Sequence, residues 1–499
     1  MSAFSHFSGF RAALRDEITA IRKNGGQRTH ILNGRSLGQR GQDYIYSFSV
    51  ENELHIPDDT SIDLEYQKQR YEGQVVSTVG FDLILALNAH IGNFVPSATL
   101  YTEPWFLLEE LQKRLDAIPT LTAVNKGLLE KLLTNDVSAH KPNTEQAEQL
   151  LDTIAAGLKK PLHYNDDQLQ AIGHVLANNV SYIWGPPGTG KTRTLGMTVA
   201  TLVEKGESVL ILAHSNIAVD VATLSMAQHL SHSPHYSQGR LLRYGIIYAS
   251  ELKSDAFQSL HVKGVLRQRN APLIQRIDEL DARAQTLTRR LSKGELSLTE
   301  RERLQDELAV VKDQLKPLRE ELKQHEDQLL RQAVVVACTF SKATIAPQVY
   351  ERRFDNVIID EASMAYIPHC VFASSLADKR VVIFGDFRQL SPISQADSVL
   401  AKRWLQRDIF DQAGIIAKVN AAKTDPRLTL LSTQYRMHPE IAEIPNELFY
   451  QGRLRNGAQV VKQSEAVVAS PPNSGTALAY YDLSGTSLLL SGTRLAQPL

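Results

Sequence analysis

Two cysteines in 499 residues leave little to cross-link this chain. Cys338 and Cys370 have no second pair to complete a zinc site, so disulfide-scaffold and zinc-module classes drop out. Both fall in or beside apolar segments, the pattern of reduced core thiols in a cytoplasmic protein. Long hydrophobic runs are missing as well: no stretch approaches the roughly 20 apolar residues that a membrane-spanning helix needs. Met1-Ser-Ala-Phe-Ser-His6 lacks the charged start and apolar centre of a secretory signal. Charge of one sign is equally scarce. Lys and Arg number 54 against 55 Asp and Glu, a net charge of −1 at pH 7. The whole-chain balance therefore gives no support for a polyanionic partner, although a local basic groove would be enough. What remains is an ordinary globular composition, 43% hydrophobic and 22% charged, in a chain long enough for about three domains.

Residues 9–22 carry apolar side chains at helical spacing and predict an opening helix. From about Asp43 to Thr102 the pattern changes to short β-rich runs, among them Tyr44–Val50, Gln74–Val79 and Asp82–Leu87. Several strands in so short a stretch predict a small barrel. A second helix follows at Trp105–Leu115, so helix, barrel and helix form an accessory module on a stalk. Farther on, Leu273, Ile277, Leu280, Ala284, Leu287 and Leu291 alternate spacings of four and three, a coiled-coil seam. Leu304, Leu308, Val311, Leu315, Leu318, Leu322 and Leu329 resume it after a break at 292–297, where Ser297 and Glu300 fit a capping box. Two such helices predict an antiparallel hairpin with a kink at Pro317. A dimerising coiled coil is the alternative, disfavoured because the segment interrupts an α/β core. A monomer is expected.

That core reads as alternating strands and helices. The strand candidates Ser181–Trp184, Ser208–Ala213, Ala333–Ala337, Asn356–Asp360 and Arg380–Phe384 are short and continuously apolar, the mark of a parallel sheet covered on both faces. Directly after the first of them stands Gly185-Pro186-Pro187-Gly188-Thr189-Gly190-Lys191-Thr192, a match to the phosphate-loop pattern G-x-x-x-x-G-K-[ST]. A strand delivers the loop and a helix leaves it, so backbone N–H groups and the positive helix end converge on phosphate oxygens. Lys191 supplies a point charge to the β- and γ-phosphates, and the Thr192 hydroxyl is a Mg²⁺ ligand. The predicted ligand is a nucleoside triphosphate, ATP, with Mg²⁺.

Asp360 and Glu361 follow the end of a buried strand. Asp360 suits the Mg²⁺ shell, and Glu361 suits orienting and deprotonating the attacking water. Gln389, at the end of the next strand, is placed to sense the γ-phosphate. Arg436 follows a linker-like stretch, Asn420–Arg427, and suits an arginine that stabilises charge on the γ-phosphoryl group.

These ordered blocks resemble the motifs of superfamily 1 helicases, in the branch that includes the nonsense-mediated decay helicase and senataxin. Gln434-Tyr435-Arg436-Met437-His438-Pro439 and Asp360-Glu361-Ala362-Ser363 carry the closest match. The resemblance implies that Tyr435 stacks on adenine and that Arg436 is the arginine finger. Tyr164-Asn165-Asp166-Asp167-Gln168 resembles the family's adenine-reading element, with Gln168 on the base and a tyrosine where leucine is more usual. Phe387 stands where histidine is more usual. The segments 212–220 and 337–340 are similar to the family's nucleic-acid motifs, which implies that Ser215, Asn216 and Thr339 touch the strand; ordinary loop capping is the competing reading of these residues.

The resemblance implies a RecA-like P-loop NTPase fold with an accessory β-barrel on a helical stalk and an inserted coiled-coil hairpin. It also implies a helicase or translocase that hydrolyses ATP to move 5′ to 3′ along single-stranded nucleic acid. The motifs imply backbone contacts, which do not separate DNA from RNA; the compact chain leans to DNA. The expected domains are 1–125 (stalk and barrel), 126–160 (linker), 161–425 (first ATPase domain, insertion 250–333) and 426–499 (part of a second). The family's two later motifs do not appear, and about seventy residues follow Arg427, too few for a complete second sheet. The expectation is a chain shortened within its second domain, as a fragment or frameshifted product. Two further readings stay open: an ATP- and strand-binding module without productive unwinding, and the helicase part of a nuclease–helicase. No nuclease-like carboxylate or histidine cluster supports the latter.

Overall fold

In the computed structural model the described residues are 3–478, except 24–28, 41–42, 51–55, 57, 80–81, 103–104, 123, 134–138, 292–296, 461, 463–467 and 470–474. The expected tail at 484–499 and the turn of the expected hairpin thus lie outside the described residues. Among the described residues no helix is long and apolar enough to cross a membrane.

The opening helix, Phe7–Lys23, buries Phe7, Phe10, Ala13, Leu14, Ile18 and Ile21 along one face, as its apolar spacing requires. A closed antiparallel barrel follows, built from β1 (Thr29–Arg40), β2 (Asp43–Val50), β3 (Ser61–Tyr66), β4 (Gln69–Val79), β5 (Asp82–Leu87) and β6 (Phe94–Thr102), in the order β1-β2-β5-β4-β3-β6. Tyr46, Phe48, Val75, Leu85 and Leu100 fill its interior. The barrel begins at Thr29 rather than Asp43. Strand β1 escaped the pattern because Asn33, Gly34 and Gly38 interrupt it, and its pairing with β2 shifts register between Leu32 and Arg35 and again between Ser36 and Gly38. These bulges are what let a short strand turn a barrel corner. Gly34 is obligatory there, because a Cβ would strike the Phe48 ring.

The central sheet has seven parallel strands. They are β7 (Val180–Trp184), β8 (Val209–Ala213), β9 (Leu241–Arg243), β10 (Val335–Thr339), β11 (Phe354–Ile359), β12 (Ala377–Gly385) and β13 (Leu428–Leu430), in the order β13-β7-β12-β11-β8-β10-β9. Every residue of β7, β8 and β10 is buried, which explains their unbroken apolar runs. The two edge strands, three residues each, are too short to leave a periodic signal.

The stretch Asn420–Arg427, expected as a linker, is exposed from Asn420 to Thr424 but turns two charged side chains inward at its end. Arg427 and Asp425 are buried and form a bidentate pair at 2.8 and 2.9 Å, and Lys418 reaches the same carboxylate at 3.0 Å. Burial alone would raise the Asp425 carboxyl, but the Arg427 and Lys418 hydrogen bonds outweigh it and bring it to about 2. Strand β13 then pairs with β7, so the first compact unit runs on to Leu431 rather than ending at 425.

The insertion forms helices Ala271–Leu291 and Leu298–Gln332. Ile277, Leu280 and Leu287 of the first pack with Leu304, Val311 and Leu315 of the second, and Asp281 pairs with Arg319 at 2.6 Å. The chain thus buries this seam against itself, as the hairpin reading requires. Ser297 and Glu300 make both halves of the capping box. Pro317 lies within the second helix, which continues as one element from Leu298 to Gln332.

Barrel and sheet meet through a buried polar joint. Asn216 donates from its backbone N–H to Asp58 (2.7 Å) and from Nδ2 to the Val76 carbonyl of β4 (3.0 Å). Arg243, 1% exposed, donates to Asp220, Asn216 and the Tyr244 carbonyl, each at 2.7 Å. Around this joint Ile45, Val76, Ile84 and Ala86 of the barrel's outer face pack against Ile246 and Tyr248. Breaking such a buried ion pair from one side costs about 3–5 kcal/mol, so Arg243 and Asp220 hold the seam as a unit.

Asp58 makes the joint sensitive to pH. Burial, with Asp59 adding like charge, lifts its carboxyl from 3.8 to about 8 against the opposing pull of the Asn216 N–H and Arg243. Between those values the folded chain holds a proton that the unfolded chain has released, so stability falls as pH rises through the window and levels off above it. Thermal melts between pH 5 and pH 9 should show this decline, and Asp58→Asn should flatten it. Equal slopes for the two proteins would rule out Asp58 as the source.

Candidate functional site

Strand β7 ends at Trp184, and Gly185 opens the phosphate loop with its N–H bonded to the Gly385 carbonyl at 3.0 Å. A side chain at Gly185 would collide with the Lys191 stem, whose Cβ lies 2.7 Å from the added atom. Gly190 has φ +80 and caps the helix Lys191–Glu204. That left-handed turn aims the helix start back over the loop, the arrangement that gathers N–H groups for phosphate oxygens.

Lys191, Asp360 and Glu361 converge. The Lys191 ammonium sits 2.5 Å from a Glu361 oxygen and 3.9 Å from Asp360. Burial lowers the lysine's pKa, but Asp360, Glu361 and Asp386 more than reverse this and leave it raised, so Lys191 stays charged. Asp360 follows β11, where burial raises its carboxyl and Lys191 pulls it back. Its oxygen accepts the Glu361 N–H at 2.9 Å. Glu361 itself has φ +50, a strained conformation for a residue with a side chain, which costs of order 1–3 kcal/mol and tends to be kept where function needs it. Thr192 is half-buried in the first helical turn after Lys191.

Gln389 is exposed, and its Nε2 donates to Asp386 at 2.8 Å. Asp386, fully buried, also accepts the Trp184 indole N–H at 2.9 Å and the Arg388 N–H at 3.1 Å. One carboxylate therefore ties the Gln389 loop to the strand that feeds the phosphate loop. The sequence reading passed over Asp386; its position at the end of an apolar strand was the available signal. Phe387 stacks against Trp184, ring centroids 4.4 Å apart, so an aromatic ring serves the slot without a polar edge. Gln168 is buried, its Oε1 accepts the Asn165 N–H at 3.1 Å, and its Nε2 faces Gly190. Asn165 in turn caps the helix Asp166–Ala177 in a reciprocal box.

The expected nucleic-acid residues divide. Ser215 is half-buried, and its hydroxyl caps the helix Asn216–Leu230 by accepting the Ala218 N–H at 3.2 Å. Asn216 and Thr339 are 0% exposed. Asn216 is committed to the barrel joint, and the Thr339 hydroxyl donates to Asp59 while accepting the Lys342 N–H at 3.0 Å. In this structure their polar groups seat the barrel and, at Thr339, cap a helix. The spacing placed them after strands correctly but carried no trace of the barrel segment that covers them.

A second compact unit comprises Pro187–Thr189 and Ser432–Leu499. In it β14 (Thr433–Gln434) pairs in parallel with β15 (Arg455–Asn456), and helix Pro439–Leu448 intervenes. The buried Gln434 side chain accepts the N–H groups of Arg436 (2.9 Å) and Met437 (2.8 Å) and donates to the Met437 carbonyl (2.8 Å). This folds the turn that leaves Tyr435 and Arg436 exposed. The Tyr435 N–H donates to the Gly188 carbonyl at 2.8 Å. Gly188 has φ +77, and a Cβ there would meet the Arg436 Cβ at 2.7 Å, so glycine is required twice over.

A phosphate loop between β7 and a helix, with paired carboxylates past β11 in a parallel sheet, defines a RecA-like P-loop NTPase. Two family models, each described as an AAA domain, match residues 163–396 and 415–491. The chain is 32% identical over 333 residues to a regulator of nonsense transcripts 1 homolog of Neurospora crassa, covering 66% of this chain and 27% of that protein. It is 31% identical over 338 residues to the ATP-dependent helicase upf1 of Schizosaccharomyces pombe, covering 66% and 31%. With the helicase sen1 of the same yeast it shares 26% over 422 residues, covering 73% and 24%. This chain belongs to the superfamily 1 helicases, in the group of the nonsense-transcript regulators and Sen1. It spans about a quarter to a third of the length of these relatives.

Proposed function

We propose that this chain is the motor part of an ATP-dependent nucleic-acid helicase that moves along single strands. The observation that carries the reading is the Lys191–Asp360–Glu361 cluster at the phosphate loop. A fixed cation for the γ-phosphate stands beside a buried carboxylate and a second, partly exposed one. The hard oxygen donors of Thr192 and Asp360 fit Mg²⁺, which takes few protein ligands and shares its shell with phosphates and water; the bound ion would neutralise charge developing on the phosphates. The backbone of Gly185–Gly190 cradles the phosphates, and Gln168 and Tyr435 receive the adenine. Glu361 orients and deprotonates the attacking water. Gln389 senses the γ-phosphate, and Arg436 stabilises the transferring phosphoryl group. Ser215 is the remaining candidate for a strand contact. By family likeness the motor runs 5′ to 3′; the compact chain leans to DNA over RNA, in a monomeric cytoplasmic protein.

The test is ATPase activity of the 499-residue chain with oligo(dT) or oligo(U), followed by unwinding of duplexes with 5′ or 3′ overhangs. Stimulation of at least about tenfold, greater with oligo(dT), and unwinding only from 5′ overhangs are expected. Stimulation without unwinding would favour the ATP- and strand-binding module. Turnover indifferent to either strand would reject the motor.

A further inference from the structure

Glu17 lies on the apolar face of the stalk helix Phe7–Lys23, in line with Leu14, Ile18 and Ile21, and is only 2% exposed. An isolated carboxylate at such a place is strongly disfavoured unless hydrogen bonds replace its water. Here they come from a distant segment of the chain. The Gln395 N–H donates to one oxygen at 3.0 Å and the Ala396 N–H to the other at 2.8 Å. The Tyr366 hydroxyl lies 3.5 Å from Glu17 and donates to the Ile393 carbonyl at 2.7 Å. The neighbouring Asp16 accepts from Ser398, which caps the next short helix. Phe10, about two turns before Glu17, meets Trp404 of that helix edge-on, ring centroids 4.8 Å apart.

These bonds fall on the two loops that carry the hydrolytic chemistry. The segment 386–396 contains Gln389; Asp386 anchors it at the front through Trp184, and Glu17 at the back. Between the anchors Leu390 and Ile393 are exposed; the Ile393 carbonyl accepts from Tyr366, Arg388 reaches Asn420, and Gln406 donates to Ser394 and the Ala396 carbonyl. Tyr366 comes from the segment that leaves Glu361, past the short turn Ala362–Met364. One buried carboxylate thus touches both the Gln389 loop and the Glu361 segment, and it sits on the helix that precedes barrel strand β1.

We propose that Glu17 is a positioning residue for ATP hydrolysis, which sets the Gln389 loop against Glu361 and couples the barrel stalk to turnover. The proposal rests on the motor reading above. A carboxylate suits the role because its two oxygens accept two successive N–H groups at once, one each, from a fixed place on the helix. Strand-induced movement of the barrel would reach the site by this route without any contact between barrel and nucleotide.

The test uses Glu17→Ala and Glu17→Gln in the full chain, measuring the Kd of a fluorescent ATP analogue, the KM for ATP, and kcat with and without oligo(dT). For Glu17→Ala the strand-stimulated kcat should fall about tenfold, with Kd and KM within about twofold, the signature of an interaction that acts in the chemical step. Glu17→Gln keeps an acceptor oxygen and should recover part of that loss; it carries the same comparison if the alanine variant fails to fold. An unchanged kcat in both variants overturns the proposal while leaving the motor reading intact. A parallel fall of kcat, nucleotide affinity and melting temperature also overturns it, because that is the mark of a merely structural residue. A wild-type chain that neither oligo(dT) nor oligo(U) stimulates overturns the motor reading, and the proposal with it.

Discussion

Replacing Lys191 by alanine should lower ATP turnover by about a thousandfold or more, because two losses add at one place. The ammonium, 2.5 Å from Glu361 and 3.9 Å from Asp360, is the cation that the triphosphate would meet. Without it, transition-state charge on the γ-phosphoryl group loses its fixed counter-charge. The second loss is less obvious. Asp360, Glu361 and Asp386 raise the Lys191 pKa against its burial, and Lys191 in turn pulls the Asp360 carboxyl back against the burial that raises it. Alanine would leave these carboxylates facing one another and then facing phosphate, so ATP affinity should fall together with kcat. Single-turnover hydrolysis and an equilibrium nucleotide titration separate the two effects. Turnover within tenfold of the wild type would mean that Lys191 is only an ion-pair partner and that the site is misassigned.

What the sequence could show of this site follows from how local each signal is. The phosphate loop, Asp360 and Glu361 were legible because each sits directly after a short buried strand, and burial forces such strands to be continuously apolar. The coiled-coil hairpin was legible for the same kind of reason, since its seam repeats with the helix. Strand β1 hid behind glycines that the barrel needs for its corners. Asn420–Arg427 looked like a linker because it holds no large apolar residue, yet Asp425 and Arg427 neutralise each other inside the fold. Asn216 and Thr339 show the limit most clearly. Their partners Asp58 and Asp59 are some 158 and 280 residues away in the chain, and no periodicity connects such positions. Glu17 had a faint signal, a carboxylate on an otherwise apolar helix face, but only the fold shows that Gln395 and Ala396 receive it.

Glu361→Gln should separate binding from chemistry in the opposite sense to Lys191→Ala. Glutamine has the same length and tolerates the left-handed backbone at φ +50 no worse than glutamate. It still offers an oxygen to Lys191, so the loop geometry should persist. What it loses is basicity, and a positioned general base is worth about 10²–10⁴ in rate. It also releases Lys191 from an ionic partner, which leaves more of that charge for phosphate. The expected outcome is therefore a kcat lowered by about two to four orders of magnitude, with ATP bound as tightly as in the wild type or more so. Asp360 would respond too: with a neutral neighbour its carboxyl loses a like charge that raises its pKa, and it should hold a cation at lower pH than in the wild type. Nucleotide affinity measured with Mg²⁺ across pH 5–8 would reveal that shift independently of turnover. If Glu361→Gln instead weakened ATP binding and left kcat unchanged, Glu361 would be a structural anchor for Lys191, and the base would have to be sought at another carboxylate such as Asp386.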